Sequence, residues 1–590
     1  MKPYPTPILW ISALFSGWMT LLLASGLIFI PAENAMESIA GQNLALTLVC
    51  GLLLTRVSFL LNQRFPFLVI SAPLVLFSLC AIIASAVQND PLLSLAFGGI
   101  LAVLLPPIFT AHFSFSPIKD KRLKLFFIGT AFLFFLYVGG LTVLRHLTFR
   151  TPCFDFGIFV QMFHQMKETG LPFTTCERNQ VLSHFAVHTS PIYYLLLPAY
   201  LIFPDPATLQ LGQAAVLACG AIPLWKLCRQ YRLGGRSSAL LALCYFSYPA
   251  LAGGCFYDIH ENCFLAPLLL WLFYASAQAG RRCFLGLIPG FFILLVKEDA
   301  AIYPAFWGLY LLASEFFGTK RAGIRSRLTP RFRLGLLLFF LSLVYFGIIV
   351  TLMERWGLGV MTSRYHNFSF QNGGFGEMIL SVLLHPAYAL AQCIQENRLI
   401  YLLEMLAPLL FLPLAGRKLE DFILLGPLAL MNLMPDYVYQ HTISYQYNFG
   451  TLSFLFYLAI RRLSEMEPAK RERTLYSAAL VTLTLFAGTQ LTHAGALADW
   501  VQNKETYQRM EADLSRIPEH ASVTASSFLV SHLAERDVVY LMDQIYDTDY
   551  VAYDLRDPDP AVSVETYRKA GYQVFYQSEE LILLARSSGS

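Results

Sequence analysis

The sequence predicts an all-α polytopic transmembrane bundle that ends in a small extracytoplasmic α/β domain. Three observations carry that expectation. Of 590 residues, 56% are hydrophobic and only 14% are charged, against about 25% charged in soluble domains. Several apolar runs reach the roughly 20 residues a helix needs to cross a bilayer, among them 8–30, 123–144 and 332–353. Residues 495–590 then turn polar and mixed. A transmembrane barrel would show short alternating segments instead, and a net charge of +3 gives no electrostatic footprint for nucleic acid.

The first run, "ILWISALFSGWMTLLLASGLIFI", is too long for a secretory leader and has no convincing cleavage site, so it reads as a retained span. Further along, short cytoplasmic loops collect Lys and Arg. By that rule the basic loops at 119–124, 226–236, 281–282, 319–333, 416–418 and 461–473 lie inside. The connections at 31–43, 88–90, 146–190, 257–262, 297–299, 354–398 and 435–448 lie outside. One stretch breaks the alternation. "PIYYLLLPAYLIF" (191–203) is short and carries Pro198, so it reads as interfacial or re-entrant, and 207–225 as the true span. The expectation is about fifteen spans, with the N-terminus cytoplasmic and the C-terminus outside. Short segments near 283–296 and 399–434 are the least regular. The units are an N-terminal four-span extension (1–118), a transmembrane core (119–494) with external loops 146–206 and 354–398, and the terminal domain (495–590). In that domain "ASVTASSFLVSHLAER" has the form of strand, cap and helix, without a glycine-rich phosphate loop.

Polar groups at membrane depth are expensive and gather where they have work to do. Four clusters sit at predicted external ends of spans. "FRTPCFDFGIFVQMFHQ" carries Asp155, which suits a helix cap or a reactive group. The apolar face of the helix behind it suits a place on the membrane surface. "SHFAVHTSP" carries His184 and His188, four apart as metal-ligating pairs on a helix are; as loop or interfacial histidines they imply nothing. "YDIHEN" carries Asp258, His260 and Glu261, and otherwise reads as a solvated loop. "LLVKEDAAIYP" carries Lys297, Glu298 and Asp299, whose plain alternative is structural ion pairing. A fifth external stretch, 361–377, supplies Arg364, a side chain suited to phosphate, with His366. His441, Tyr445 and Tyr447 follow in 440–448; tyrosines there suit interface anchors. The eleven cysteines form no CxxC pair. Cys153 and Cys176 share a loop and either pair there or remain free thiols.

Four separated stretches in order, from "FDFGIFVQMFHQMKETGLPF" through "SHFAVHTSPIYYLLLPAYLIF" and "YDIHENCFLAPLLLWLFYA" to "LLVKEDAAIYPAFWGLYL", resemble a family of bacterial and archaeal membrane proteins. It is known only as domain-of-unknown-function family two thousand and seventy-nine. The resemblance covers about 124–590 and leaves out the first four spans. That family is similar to the C-type membrane glycosyltransferases (GT-C), in which a core span leads to an external loop with an early acidic residue, interfacial helices and a "P-[IL]-Y-Y" segment. Here these are 123–144, Asp155, the helix after it and "SPIYY". A lone F-D-F-G stands in place of the usual D-D or D-E-x.

The resemblance implies an inverting glycosyltransferase in the cell membrane, moving a sugar from a polyprenyl-phosphate donor on the outer face. Asp155 would be the general base. Lys297 or Arg364 would steady the departing phosphate. His184, His188, Asp258, His260 and Glu261 would line the acceptor or a metal, with Mg or Mn as possible divalent cations. Glu298 and Asp299 belong to the same binding set. Two other readings are a transporter or flippase of a lipid-linked precursor and a non-enzymatic protein that binds a partner through its external domain. No internal repeat supports the transporter, and the appended domain alone does not account for the membrane-edge clusters.

Overall fold

The computed structural model describes residues 68–112, 118–318, 328–359, 362–368, 375–558 and 562–587, with isolated positions between 7 and 60. The first apolar run therefore lies largely outside the described residues, as do parts of 361–377. Among the described residues five helices are long and apolar enough to cross a membrane: Asp120–Leu147, Pro206–Gln230, Glu298–Phe317, Pro330–Trp356 and Pro468–Leu514.

The helices are α1 (Leu68–Gln88), α2 (Pro91–His112), α3 (Asp120–Leu147), α4 (Ile158–Thr169), α5 (Pro206–Ala218), α6 (Ala221–Gln230), α7 (Gly235–Phe246), α8 (Leu265–Ser276), α9 (Ile302–Gly318), α10 (Pro330–Trp356), α11 (Glu396–Leu406), α12 (Asn448–Ser464), α13 (Pro468–Gln490) and α14 (Gly495–Leu514). The expected number of about fifteen spans is not shown by these five helices, and most of 1–67 lies outside the described residues. Much of the core is built from short pieces. Residues 280–294 form a 3-10 segment and an eight-residue helix, and 407–433 is a chain of short 3-10 and π pieces with one three-residue α turn, around Pro408, Pro413 and Pro427. Hydropathy registers the apolar run, while proline removes the donors that a continuous helix needs. Residues 191–203 also break, into Pro191–Leu195 and Leu197–Ile202. They leave Leu201, Ile202 and Phe203 exposed.

α9 and α10 meet backbone to backbone at two glycines. A Cβ on Gly308 would lie 2.7 Å from the Gly335 carbonyl oxygen, and one on Gly335 would lie 2.9 Å from the Gly308 oxygen. Small residues at such a crossing are what allows two apolar helices to approach closely.

Five strands complete the terminal domain: β3 (Val523–Ala525), β4 (Val539–Leu541), β5 (Tyr550–Asp554), β6 (Tyr572–Gln577) and β7 (Leu581–Arg586). They follow an earlier ribbon of β1 (Phe173–Thr174) and β2 (Leu182–Ser183). The sheet order is β4-β3-β5-β7-β6, parallel through β4, β3 and β5 and antiparallel at β7 and β6. Its β4 edge is covered by the loop after α4. The Thr175 hydroxyl accepts from Val539 N (2.9 Å) and donates to Val539 O (2.7 Å). The Asn179 amide brackets Leu541 in the same way, at 2.7 and 2.9 Å. Side chains thus satisfy an edge that would otherwise invite another strand.

α4 is buried on every side, from Ile158 through Phe163. It shares a core with Leu529, Val530 and Leu533 of the terminal domain. The membrane-surface placement expected for this helix is therefore corrected: its apolar face meets protein. Gly157 is small because Val530 is close; an added Cβ would stand 3.0 Å from the Val530 Cγ1.

Gly308→Val should destabilise the protein by about 1–3 kcal/mol through overpacking at the α9–α10 crossing. A thermal unfolding series in detergent checks this. An unchanged midpoint would show that the two helices do not depend on that contact.

Candidate functional site

Asp155 lies in a single π turn, Cys153–Gly157, between α3 and α4. The Phe154–Asp155 peptide is cis. The position capping α4 is Gly157, with no side-chain cap bond, so the capping role expected for Asp155 is corrected. Its carboxylate turns instead to the Asp258–Glu261 segment, where His260 Nε2 stands 2.9 Å from Asp155 Oδ2. Burial opposes ionisation of Asp155. The adjacent His260, with help from Lys297, outweighs it and holds the carboxyl below its ordinary range.

The "YDIHEN" segment is no solvated loop. Asp258, His260 and Glu261 are all buried. Glu261 accepts from Tyr193 Oη (2.8 Å) and pairs with Lys297 Nζ (3.0 Å). Burial works against its charge, but Lys297 and the histidines around it hold the carboxyl far below the ordinary range. Asp258 faces away from this group. It accepts from Gln210 Nε2 at 2.7 Å and lies 3.5 Å from Arg145 Nε, tying α3 and α5 to the segment.

The two histidines of "SHFAVH" do not form a helix-face pair. His184 opens a 3-10 turn and its Nδ1 meets Glu177 Oε2 at 2.9 Å. Burial works against protonation of His184, and Glu177 overcomes it and raises the imidazole above its usual value. His188 Nδ1 meets Glu298 Oε1 at 2.9 Å, and burial lowers its imidazole. Glu298 also accepts from Thr189 N at 3.1 Å. Among the described residues no three His, Cys, Asp or Glu side chains are gathered to hold a metal ion. The carboxylates of Asp155, Glu177, Glu261 and Glu298 are each engaged by protein donors. Cys153 and Cys176 are buried free thiols.

These contacts enclose a cavity of about 350 Å³, lined by Asp155, His184, His188, His260, Glu261, Lys297 and Arg364. Seven of the ten residues singled out from the sequence thus meet on one wall system. Glu298 and Asp299 line a second, apolar cavity of about 360 Å³ between α9 and α10, which shares His188, Lys297 and Arg364 with the first. Asp258 lines neither. Sequence reasoning gave too little weight to the aromatic wall: Tyr257, Tyr437, Tyr439, Tyr445 and Tyr447 all line the polar cavity. Ring centroids lie 4.9 Å apart for Tyr257–Tyr445 and 4.5 Å for Tyr439–Tyr445, and the Arg364 guanidinium sits 4.5 Å from the Tyr437 ring. Glu177 and Tyr193 were missed as well. His366 pairs with Asp436 instead, at 3.2 Å, and His441 lines neither cavity.

Lys297 and Glu261 are each almost wholly buried, so removing one partner strands the other's charge. Glu261→Gln and Lys297→Met should each cost about 3–5 kcal/mol. The double variant should lose clearly less than the sum. Additive losses in thermal unfolding would show that the two side chains do not act as a pair.

A family model described as "Predicted membrane protein (DUF2079)" matches residues 145–581. No curated protein and no solved structure matches the chain. The matched region begins at the end of α3 and reaches the first residue of β7, and so takes in both cavities, the loop helix and nearly all of the terminal domain. The chain belongs to this family of membrane proteins.

Proposed function

We propose that the protein is an outward-facing membrane glycosyltransferase that takes its sugar from a polyprenyl-phosphate donor. The observation that carries this reading is the junction of the two cavities. An apolar cavity between α9 and α10, with Phe306, Leu309, Phe339 and Leu343 among its walls, ends at Lys297 and Arg364. The same two cations open onto the polar cavity that holds Asp155. A hydrocarbon chain fits the first space, a phosphate fits the cations, and a sugar fits the polar space beyond.

In this reading Asp155 accepts the proton of an acceptor hydroxyl while that oxygen attacks the anomeric carbon. The bond from that carbon to the phosphate oxygen breaks, and the electron pair leaves with the lipid phosphate. Lys297 and Arg364 stabilise the charge that develops there. His260 fixes the carboxylate by donating from Nε2. The tyrosine wall offers ring faces with polar tips, surfaces suited to a ligand that is part apolar and part hydroxyl. The polar groups gather at one end of the bundle, which favours a reaction site over a transport path at mid-depth.

The test is turnover of polyprenyl-phosphate sugars by the purified protein in nanodiscs, together with lipid-linked sugar analysis of cells with and without the gene. Asp155→Asn should lower transfer by at least about 100-fold, in the range that general-base catalysis supplies, while the protein still folds. Unchanged transfer would remove Asp155 from the chemistry.

The pH dependence follows from the sign of the shift. Asp155 is held below its ordinary value, so the base stays ionised from neutral pH down through the usual aspartate range near about 4. The rate should fall only below that. The stability contributed by the Asp155–His260 contact is likewise present above the unfolded pKa and lost as pH falls through the lower folded one. An acid limb near pH 6–7 would point to an imidazole as the base.

A further inference from the structure

A third cavity lies at the other end of α9 and α10. On α9 the apolar cavity is lined from Ile302 to Leu309, whereas Tyr310, Ser314, Glu315 and Phe317 line a separate space of about 690 Å³. On α10 the order is reversed, with Phe339–Phe346 in the apolar cavity and Arg331 in the third. At 1.5 Å per residue, Lys297 and Glu315 are separated by roughly 27 Å along the chain of helices. That is close to the thickness of the hydrocarbon core of about 30 Å. The third cavity therefore opens at the opposite membrane surface, at the end that carries the basic loops.

Its chemistry is cationic. Arg331, Arg417, Lys418 and Arg461 line it, against Glu315 and Glu420. Two of the cations are already engaged: Arg461 by Asp421 and by the Tyr310 hydroxyl at 2.5 Å, and Arg331 by Glu315 at 3.6 Å. Arg417 and Lys418 make no ion pair among the described residues. The hydroxyls of Tyr231 and Tyr457 stand 2.8 Å apart on the wall. Among the cavity's own walls Phe317 and Leu419 are exposed, Leu419 at 72%. A cationic hollow with apolar side chains at its mouth is shaped for an amphiphile whose head is an anion.

We infer that this cavity binds the phosphate headgroup of an anionic membrane lipid, with the acyl chains lying on Phe317 and Leu419. The site is distinct from the Asp155 cavity and does not depend on transferase activity. Basic hollows between transmembrane helices at the cytoplasmic surface are suited to such headgroups. Arg417 and Lys418 meet the phosphate, Arg331 and the tyrosine hydroxyls form its floor, and the paired Arg461–Asp421 keeps that floor rigid.

The test uses the full chain, delipidated in detergent, with native mass spectrometry and thermal unfolding as readouts. Three probes are added separately: phosphatidylglycerol, phosphatidylcholine and inorganic phosphate. Phosphatidylglycerol should be retained and should raise the unfolding midpoint, and phosphatidylcholine should do neither. The Arg417→Ala/Lys418→Ala double variant changes only exposed side chains. It should weaken phosphatidylglycerol binding roughly 30-fold, two basic groups at an anionic surface each contributing about fivefold. Lys470→Ala/Arg473→Ala removes the same charge away from the cavity and should leave binding intact. If inorganic phosphate alone reproduces the stabilisation and the Arg417/Lys418 variant abolishes it, the phosphate site stands and its ligand is soluble. Equal phosphatidylglycerol binding by wild type and the Arg417/Lys418 variant, or an equal loss in both double variants, would overturn the proposal.

Discussion

The buried pairing of Lys297 with Glu261, at 3.0 Å, is the constraint on which the candidate site depends. A lysine and a glutamate that have both left water are stable only if each neutralises the other and the remaining polar atoms find partners. The segment before α8 must therefore meet the segment before α9. Tyr193 donates to the same carboxylate, which draws in the broken stretch after the histidines. Once these three segments are fixed, His188 reaches Glu298 and His260 reaches Asp155. The cluster is a chain of mutual satisfaction in a bundle that offers few other polar partners.

The terminal domain takes part in that arrangement without lining the polar cavity. Its short helix at Ser527–Leu533 packs on the turn that holds Asp155, and Val530 comes so near that a Cβ at 157 would stand 3.0 Å from its Cγ1. Ser531 bonds to Thr151 just upstream, at 2.9 Å to its carbonyl oxygen. The loop in turn covers the domain's β4 edge through Thr175 and Asn179. Loop and domain are thus folded against one another. The residues that crowd Gly157 and hold Thr151 lie more than 370 positions later in the chain, Thr151 and Ser531 being 380 residues apart.

Much of this was legible from the sequence because charged residues in an apolar chain are rare and need each other. That argument brought Asp155, the His184/His188 pair, His260, Glu261, Lys297 and Arg364 to one end of the molecule before any coordinates. It did not separate Asp258, whose partners are Gln210, inside the predicted span 207–225, and Arg145, at the edge of the predicted span 123–144. It undervalued the tyrosines, because an aromatic at a membrane interface and one in a binding wall leave the same trace in a sequence. It misplaced α4, because an apolar face gives no sign of whether it will meet lipid or protein. The apolar runs do not all stay whole for a related reason: hydropathy measures how long a run stays apolar, whereas Pro408, Pro413 and Pro427 decide whether it stays one helix.

In the proposed transferase, Lys297 and Arg364 would join a space for a hydrocarbon chain to a space for a sugar. The most direct measurement is photo-crosslinking of the purified protein with a polyprenyl phosphate that carries a photoreactive group in its tail, followed by peptide mapping. The account predicts labels on α9 within Ile302–Leu309 and on α10 within Phe339–Phe346, the walls of the apolar cavity, competed away by unlabelled polyprenyl phosphate. Labelling spread over the outer lipid-facing surface of the bundle, and unaffected by the competitor, would contradict it.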